Sequence, residues 1–228
     1  MNNTIYKCCI IGCGLIGSKL KSTSSVKYNF NHYDAIKANK YLSVNAIYDV
    51  NQNNCIAIKK KDPNVQVLKD IECIKNITSD IIVVATPPTE REKIIEQILQ
   101  NKNIKVALIE KPVANSLIKT RRLLTLLMNY DKAVIINFTR LWDPKIGLVK
   151  HEIEKNLGLF EGGTCSFTKS LSNTGSHAIS LILKIFDIDV SEIDSNKNFE
   201  IIKGPEYGIN VMNKKIIFNR IDTPYSIL

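Results

Sequence analysis

No stretch of this chain is long and apolar enough to predict a transmembrane helix, so a helical membrane protein is not signalled. Six cysteines, at positions 8, 9, 13, 55, 73 and 165, include no C-x-x-C pair. That removes the spacing of a zinc ribbon or a thioredoxin-type site, and no metal site is expected. Cys8 and Cys9 fall in an apolar run and read as core thiols, which suits a reducing cytoplasm. A dense basic stripe with interleaved aromatics is also missing. Lys plus Arg number 31 against 22 Asp plus Glu, a net charge of +9, yet the lysines are scattered and the only tight run is Lys59-Lys60-Lys61. Nucleic-acid binding is therefore not expected; an anionic cofactor or substrate accounts for the charge as well. Ile10-Ile11-Gly12-Cys13 looks like a lipoprotein cleavage box, but only Lys7 precedes it as a cation and no proper apolar core does, so it is not a secretory signal. Internal repeats and long low-complexity linkers are absent. Histidine is scarce, with His32, His151 and His177 the only three.

What is present begins near the N-terminus. The chain has 228 residues, 44% of them hydrophobic, enough for one large domain or two small ones around a sizeable core. Residues 5–19, IYKCCIIGCGLIGSK, open on an apolar run and pass through Gly12, Gly14 and Gly17 in G-x-G-x-x-G spacing. A strand, a tight glycine turn and a helix start would gather backbone N–H groups at a positive helix end suited to a diphosphate. Gly12 then permits the turn, Gly14 lets the backbone approach the phosphates, and Gly17 lets helix and strand pack closely. A glycine turn in an ordinary α/β protein carries the same letters, so the motif needs support.

Support comes along the chain. A helix is predicted over 15–21, a polar surface loop over 22–31 and a short helix over 32–40. The second strand, Val44–Asp49, ends in an acid where a Rossmann unit needs one for the adenosine ribose hydroxyls. Asp49 comes later than the usual spacing of about 20 residues, and the loop accounts for the excess. The alternative is an Asp capping the helix that starts near Asn51. Val50 and Asn51 follow instead of Arg, which favours NAD over NADP. A helix over 51–61, a short strand Val65–Val67 and a short helix or turn over 69–77 come next. The apolar run Asp80–Ala85 reads as a parallel strand buried on both faces. It ends in Thr86-Pro87-Pro88, at a carboxyl end where open α/β sheets bind ligands. Glu90–Gln100 is an amphipathic helix with Ile94, Ile95, Ile98 and Leu99 on one side. A further buried strand, Ile104–Ile109, ends in Glu110-Lys111-Pro112, and a helix over 115–129 and a strand Ala133–Phe138 follow. This alternation predicts an α/β fold, a doubly wound parallel sheet over residues 1–138. Beyond it come a helix over 145–157, a strand within 158–169, a helix opening at Leu171–His177 and running to about Phe186, and β-like runs near Phe199–Ile202 and Lys215–Ile221. They predict a second, short and incomplete α/β domain over residues 139–228.

The glycine turn with Asp49, the Thr-Pro-Pro turn, Glu110-Lys111-Pro112 and the helix opening with Asn173 and His177 together resemble the Gfo/Idh/MocA oxidoreductase family, over roughly residues 5–190. The long first loop, Asn137-Phe138-Thr139-Arg140 and the Asn-x-Gly-Ser-His turn look most like a branch associated with surface-polysaccharide sugars. The resemblance implies a Rossmann domain followed by an α/β domain on an open, mostly antiparallel sheet that carries substrate and oligomer contacts. It implies hydride transfer between a nicotinamide cofactor and the secondary alcohol or ketone of a sugar, nucleotide sugar or polyol. By position, Gly12, Gly14 and Gly17 would hold the diphosphate with Leu15 and Ile16 beside it, and Asp49 the adenosine ribose. Thr86 and Pro87 would line the cofactor pocket, Glu110 and Lys111 would meet the nicotinamide side, and Arg140 and Trp142 would lie near nicotinamide and substrate.

The chemistry fits the groups. Oxidising a secondary alcohol removes a hydroxyl proton as hydride leaves the same carbon. A neutral imidazole is a suitable base near neutral pH, which points to His177. A cationic Lys111 hydrogen-bonded to the same oxygen would stabilise developing alkoxide charge. The plain alternatives are a structural helix histidine and a surface lysine at a strand end, though Pro112 argues for a fixed backbone there. Two positions depart from the family pattern. Asn173 stands where Asp is usual; it can orient a hydroxyl but cannot take a proton. Ser180 likewise replaces an Asp. The chain also reads as C-terminally short, which would leave a sheet edge open to a second copy. Two functions are thus expected as alternatives: an active NAD-dependent carbohydrate oxidoreductase, or a truncated relative that binds dinucleotide or a protein partner without turnover.

Overall fold

The computed structural model describes residues 4–21, 30–156, 162–167 and 171–188, and the strands at 201–202, 206–212 and 215–221. Most of the predicted loop over 22–31, and Phe199, lie outside the described residues. The chain divides into two compact units, Met1–Asn137 and Phe138–Leu228.

The first unit is built on six strands: β1 (Tyr6–Ile11), β2 (Leu42–Tyr48), β3 (Gln66–Val67), β4 (Ile81–Val84), β5 (Val106–Glu110) and β6 (Ala133–Asn137). They form one sheet in the order β3-β2-β1-β4-β5-β6, every pair parallel. That is the order of a dinucleotide-binding sheet, with its crevice at the β1/β4 switch point. Helices α1 (His32–Ala38), α2 (Gln52–Lys61), α3 (Arg91–Gln100) and α4 (Leu117–Met128) cover it. Side-chain alternation along β1 decides which helix goes where. Cys9 and Ile11 face one core with Ile82, Val84, the α3 residues Ile94, Ile95 and Ile98, and Leu123 and Leu127 of α4. Cys8 and Ile10 face a second core with Val44, Ile47, Tyr33 and Ile36 of α1, and Cys55 and Ile58 of α2. Burial pushes the Cys8 thiol up to about 11, in keeping with a core residue.

The predicted helix over 15–21 is replaced by one wide turn at Leu15–Lys19. Lys19 and Leu20 donate their N–H groups five residues back, to Gly14 and Leu15, at 3.2 and 2.8 Å. The Ser18 hydroxyl donates to the Cys13 carbonyl at 2.7 Å, occupying an acceptor that a regular helix start would use.

In the second unit a 3₁₀ turn, Thr139–Trp142, precedes α5 (Lys145–Asn156). Strand β7 (Gly162–Ser166), a wide turn at Leu171–Gly175, α6 (Ser176–Ile185) and strands β8 (Ile201–Ile202), β9 (Glu206–Met212) and β10 (Lys215–Ile221) follow. The sheet runs β7-β9-β10-β8, antiparallel except for the β10/β8 pair. Strand β9 was not among the sequence expectations. Its Glu, Gly and Asn break the β pattern, and pairing on both edges overrides weak propensity. Ala178, Ile179, Ile182 and Leu183 of α6 pack with Cys165 and Phe167. No described helix is long and apolar enough to cross a membrane.

Candidate cofactor site

The glycine turn leaves β1 at its carboxyl end, and its three glycines do different work. Gly12 has φ +91°, and a Cβ there would lie 2.7 Å from the Ala85 carbonyl carbon, so the turn is pressed against the end of β4. A Cβ on Gly17 would come within 1.9 Å of the Gly12 carbonyl oxygen. Gly14 differs: apart from its chain neighbours, no atom of the described residues lies within 4 Å of its Cβ position. The two outer glycines therefore close the turn on itself, while the middle one faces open space that a ligand's phosphates could occupy. Leu15 and Ile16 expose apolar side chains beside it.

Asp49 follows β2 and ties the turn down. Its Oδ2 accepts the Cys13 N–H at 2.6 Å and its Oδ1 accepts the Asn51 N–H at 2.8 Å. The residue is 8% exposed. Each of its oxygens has a second lone pair, so capacity for a ribose hydroxyl remains. The helix cap that competed for Asp49 falls instead to Asn51, whose side chain accepts the Asn53 N–H at 3.1 Å.

Thr86 and Pro87 follow β4, and Glu110 ends β5 with Lys111 half-buried beside it. The Lys111–Pro112 peptide is cis. The Thr86 Oγ1 atom is covered yet has no hydrogen-bond partner among the described residues. Three further residues complete this region: His32, which the sequence marks as able to approach the site from beside the first loop, and Asn137 and Arg91, which it does not place there. His32, from α1, meets Glu110 Oε1 through Nε2 at 2.9 Å, and Asn137 Nδ2 donates to the same oxygen at 2.6 Å. Burial pushes the Glu110 carboxyl up, but those two hydrogen bonds and the His32 and Arg91 charges outweigh it and hold the group below the usual glutamate range. An ionised carboxylate only accepts, so His32 Nε2 carries the hydrogen. Arg91, 2% exposed, donates Nε and Nη2 to the Thr86 carbonyl at 3.1 and 2.6 Å, and Nη1 to the Glu110 and Pro112 carbonyls. Burial pulls its guanidinium down to about 10, opposed by the Glu110 charge. A signal for Arg91 was in the sequence: it continues the apolar stripe of Ile94, Ile95 and Ile98 at helical spacing, a place where a charge has to be satisfied from within.

Arg140, Trp142, Asn173 and His177 belong to the second unit. Arg140 and Trp142 lie on the exposed 3₁₀ turn and Asn173 on the exposed part of the turn before α6. His177 is half-buried in α6, its ring edge-on to Phe138 with centroids 6.3 Å apart, and its carbonyl accepts the Ser180 hydroxyl at 2.9 Å. Ser180 thus closes onto its own helix. Among the described residues no group of three or more His, Cys, Asp or Glu side chains could hold a metal ion.

Comparison with known proteins decides the family. Residues 6–138 match the Gfo/Idh/MocA model, described as an oxidoreductase family with an NAD-binding Rossmann fold. The chain belongs to the Gfo/Idh/MocA family. Solved structures share the fold at low identity. An Agrobacterium radiobacter oxidoreductase, solved in complex with NAD+, L-tartaric acid and magnesium, is 18% identical with a TM-score of 0.70, over 98% of this chain and 69% of that one. A Sinorhizobium meliloti protein provisionally assigned as a myo-inositol dehydrogenase is 16% identical with a TM-score of 0.69, over 94% and 69%. The transcriptional regulator Gal80p from Kluyveromyces lactis is 14% identical with a TM-score of 0.73, over 100% and 68%. No curated protein matches by sequence. The chain spans 66% and 64% of the length of two further oxidoreductase structures that it matches.

Proposed function

We propose that this chain is an NAD-dependent oxidoreductase acting on the secondary alcohol or ketone of a carbohydrate, with a sugar, nucleotide sugar or polyol as substrate. The observation that carries the reading is the glycine turn: open at Gly14, closed at Gly12 and Gly17, tied to Asp49, at the switch point of the sheet. The residues present fit a dinucleotide. Backbone N–H groups of the turn would hold the diphosphate, Asp49 the adenosine ribose, and Thr86 Oγ1 has hydrogen-bonding capacity to spare. Val50 and Asn51 after Asp49 favour NAD over NADP, since neither offers a cation to a ribose phosphate.

Bound NAD would supply the hydride acceptor or donor. The chain's own residues would manage the proton. His177 takes the hydroxyl proton on an imidazole nitrogen, Lys111 Nζ hydrogen-bonds the substrate oxygen and stabilises its developing negative charge, and Asn173 orients a hydroxyl. Arg140 and Trp142 contact substrate. Carbohydrate as the substrate class is supported by the family resemblance and by the inositol-dehydrogenase assignment of one structural relative.

A second reading, binding of dinucleotide or a protein partner without turnover, is favoured by Asn173 and Ser180 in place of acids. The fold shared with the regulator Gal80p points the same way. Calorimetric titration with NADH and NADPH tests the dinucleotide part of both readings at once: tight NADH and weaker NADPH binding are expected, and no binding of either would overturn the oxidoreductase and the dinucleotide-binding readings alike, leaving only a protein partner. A screen of nucleotide sugars and polyols for change in reduced-nicotinamide absorbance then separates them.

A further inference from the structure

Arg91 has an arrangement that packing alone does not require. It sits on the buried stripe of α3, where its helical neighbours Ile94, Ile95 and Ile98 are fully apolar. A side chain there would satisfy the core best by being apolar as well, because a buried cation is costly unless fully hydrogen-bonded. All three guanidinium nitrogens of Arg91 are engaged, and among the described residues their acceptors are three carbonyls, those of Thr86, Glu110 and Pro112. These carbonyls belong to two separate turns, one after β4 and one after β5, and both turns carry side chains assigned above to the cofactor. The planar fork of a guanidinium can span two such turns; the compact ammonium of a lysine cannot. On the far side of Glu110, His32 and Asn137 hold its carboxylate at 2.9 and 2.6 Å. The backbone of the Glu110-Lys111-Pro112 turn is therefore gripped by α3, and its first side chain by α1 and β6.

We propose that Arg91 is the positioning residue of the nicotinamide half of the site, joining the Thr86-Pro87 turn and the Glu110-Lys111-Pro112 turn into one preset wall of the cofactor pocket. Preset donors and walls bind a ligand without first being ordered, which is where their contribution to affinity comes from. The Gly12–Gly17 turn and Asp49 are held by their own hydrogen bonds and make none to Arg91. Loss of the guanidinium should therefore be felt at the nicotinamide end of a ligand and spared at the adenosine end. The inference rests on the dinucleotide reading.

The test is calorimetric titration of the full chain, Arg91→Lys and Arg91→Met with NADH and with ADP, which carries the adenosine and diphosphate only. Wild type should bind both. Both variants should bind NADH roughly tenfold or more weakly and ADP within about twofold of wild type, the charge-preserving Lys doing no better than Met. Unchanged NADH affinity in a folded variant, rescue by Lys, or a parallel loss of ADP affinity would each overturn the proposal, the last by showing a general structural role. Wild type that binds neither ligand would overturn the dinucleotide reading itself, a separate result. Should the variants not fold, the Arg91 Nε–H resonance of ¹⁵N-labelled wild type carries the same test. It should shift on adding NADH and stay in place with ADP; no shift with saturating NADH overturns the proposal.

Discussion

Gly17 has no room for a methyl group, and Gly14 has nothing but room. That contrast gives a clean pair of predictions at the scale of single residues. Gly17→Ala places a Cβ against the Gly12 carbonyl oxygen, which is backbone and cannot swing away. Thermal unfolding should show a loss of stability of about 1–3 kcal/mol, the range for an overpacked site. Gly14→Ala should leave the unfolding midpoint unchanged and weaken NADH binding, because its Cβ points into space that only a ligand fills. If Gly14→Ala binds NADH as wild type does, the diphosphate does not lie over this turn. For the proposed chemistry, Lys111→Met should lower turnover by about 100-fold or more, the scale of a lost charge-stabilising group and well beyond any loss of NADH affinity; full turnover in a variant that binds NADH normally would remove Lys111 from the mechanism. His177→Ala should lower turnover far more than cofactor affinity; equal loss of both would make His177 a structural residue. The steric roles of Gly12 and Gly17 were legible in the sequence, because only glycine fits those positions. The partners of Arg91 and His32 were not: helical spacing marks Arg91 as buried but does not say which carbonyls it meets, and the His32 contact with Glu110 spans 78 residues.

At the scale of elements, β5 ends on a carboxylate whose neighbours come from three others. Glu110 is ionised more readily in the folded chain than in the unfolded one, through His32 and Asn137. Its contribution to stability is therefore present above the unfolded glutamate value, about 4.3, and is lost as pH falls through the lower folded value. Asn137→Leu removes one of those hydrogen bonds and should move the acid-unfolding midpoint to higher pH; a midpoint that stays put would show that Glu110 is not coupled to folding. Strand identity was mostly legible from apolar runs, as in β4 and β5. The turn after Gly14 was not, since i→i+5 bonding there depends on where the Ser18 hydroxyl goes. Strand β9 was hidden for a related reason: its pairing with β7 and β10 is made by partners distant in sequence.

For the molecule as a whole, a ligand that binds only the folded chain raises its stability by mass action, by about 2.7 kcal/mol at a hundredfold excess over Kd. NADH should therefore raise the unfolding midpoint more than NADPH does at equal concentration, and equal shifts would remove the preference drawn from Val50 and Asn51. By itself the sequence determined the layered α/β arrangement of the first unit, because buried parallel strands and amphipathic helices announce themselves through local hydrophobic period. It also determined where the glycine turn closes, because the steric demands at Gly12 and Gly17 exclude other residues. Tertiary structure alone decided that each Asp49 oxygen accepts one backbone N–H, from Cys13 in the turn and from Asn51 at the cap of α2. It alone decided that a guanidinium from the core face of α3 joins the ends of β4 and β5. Those choices are made by side chains meeting across the sheet's carboxyl edge, where proximity is set by strand order and not by distance along the chain.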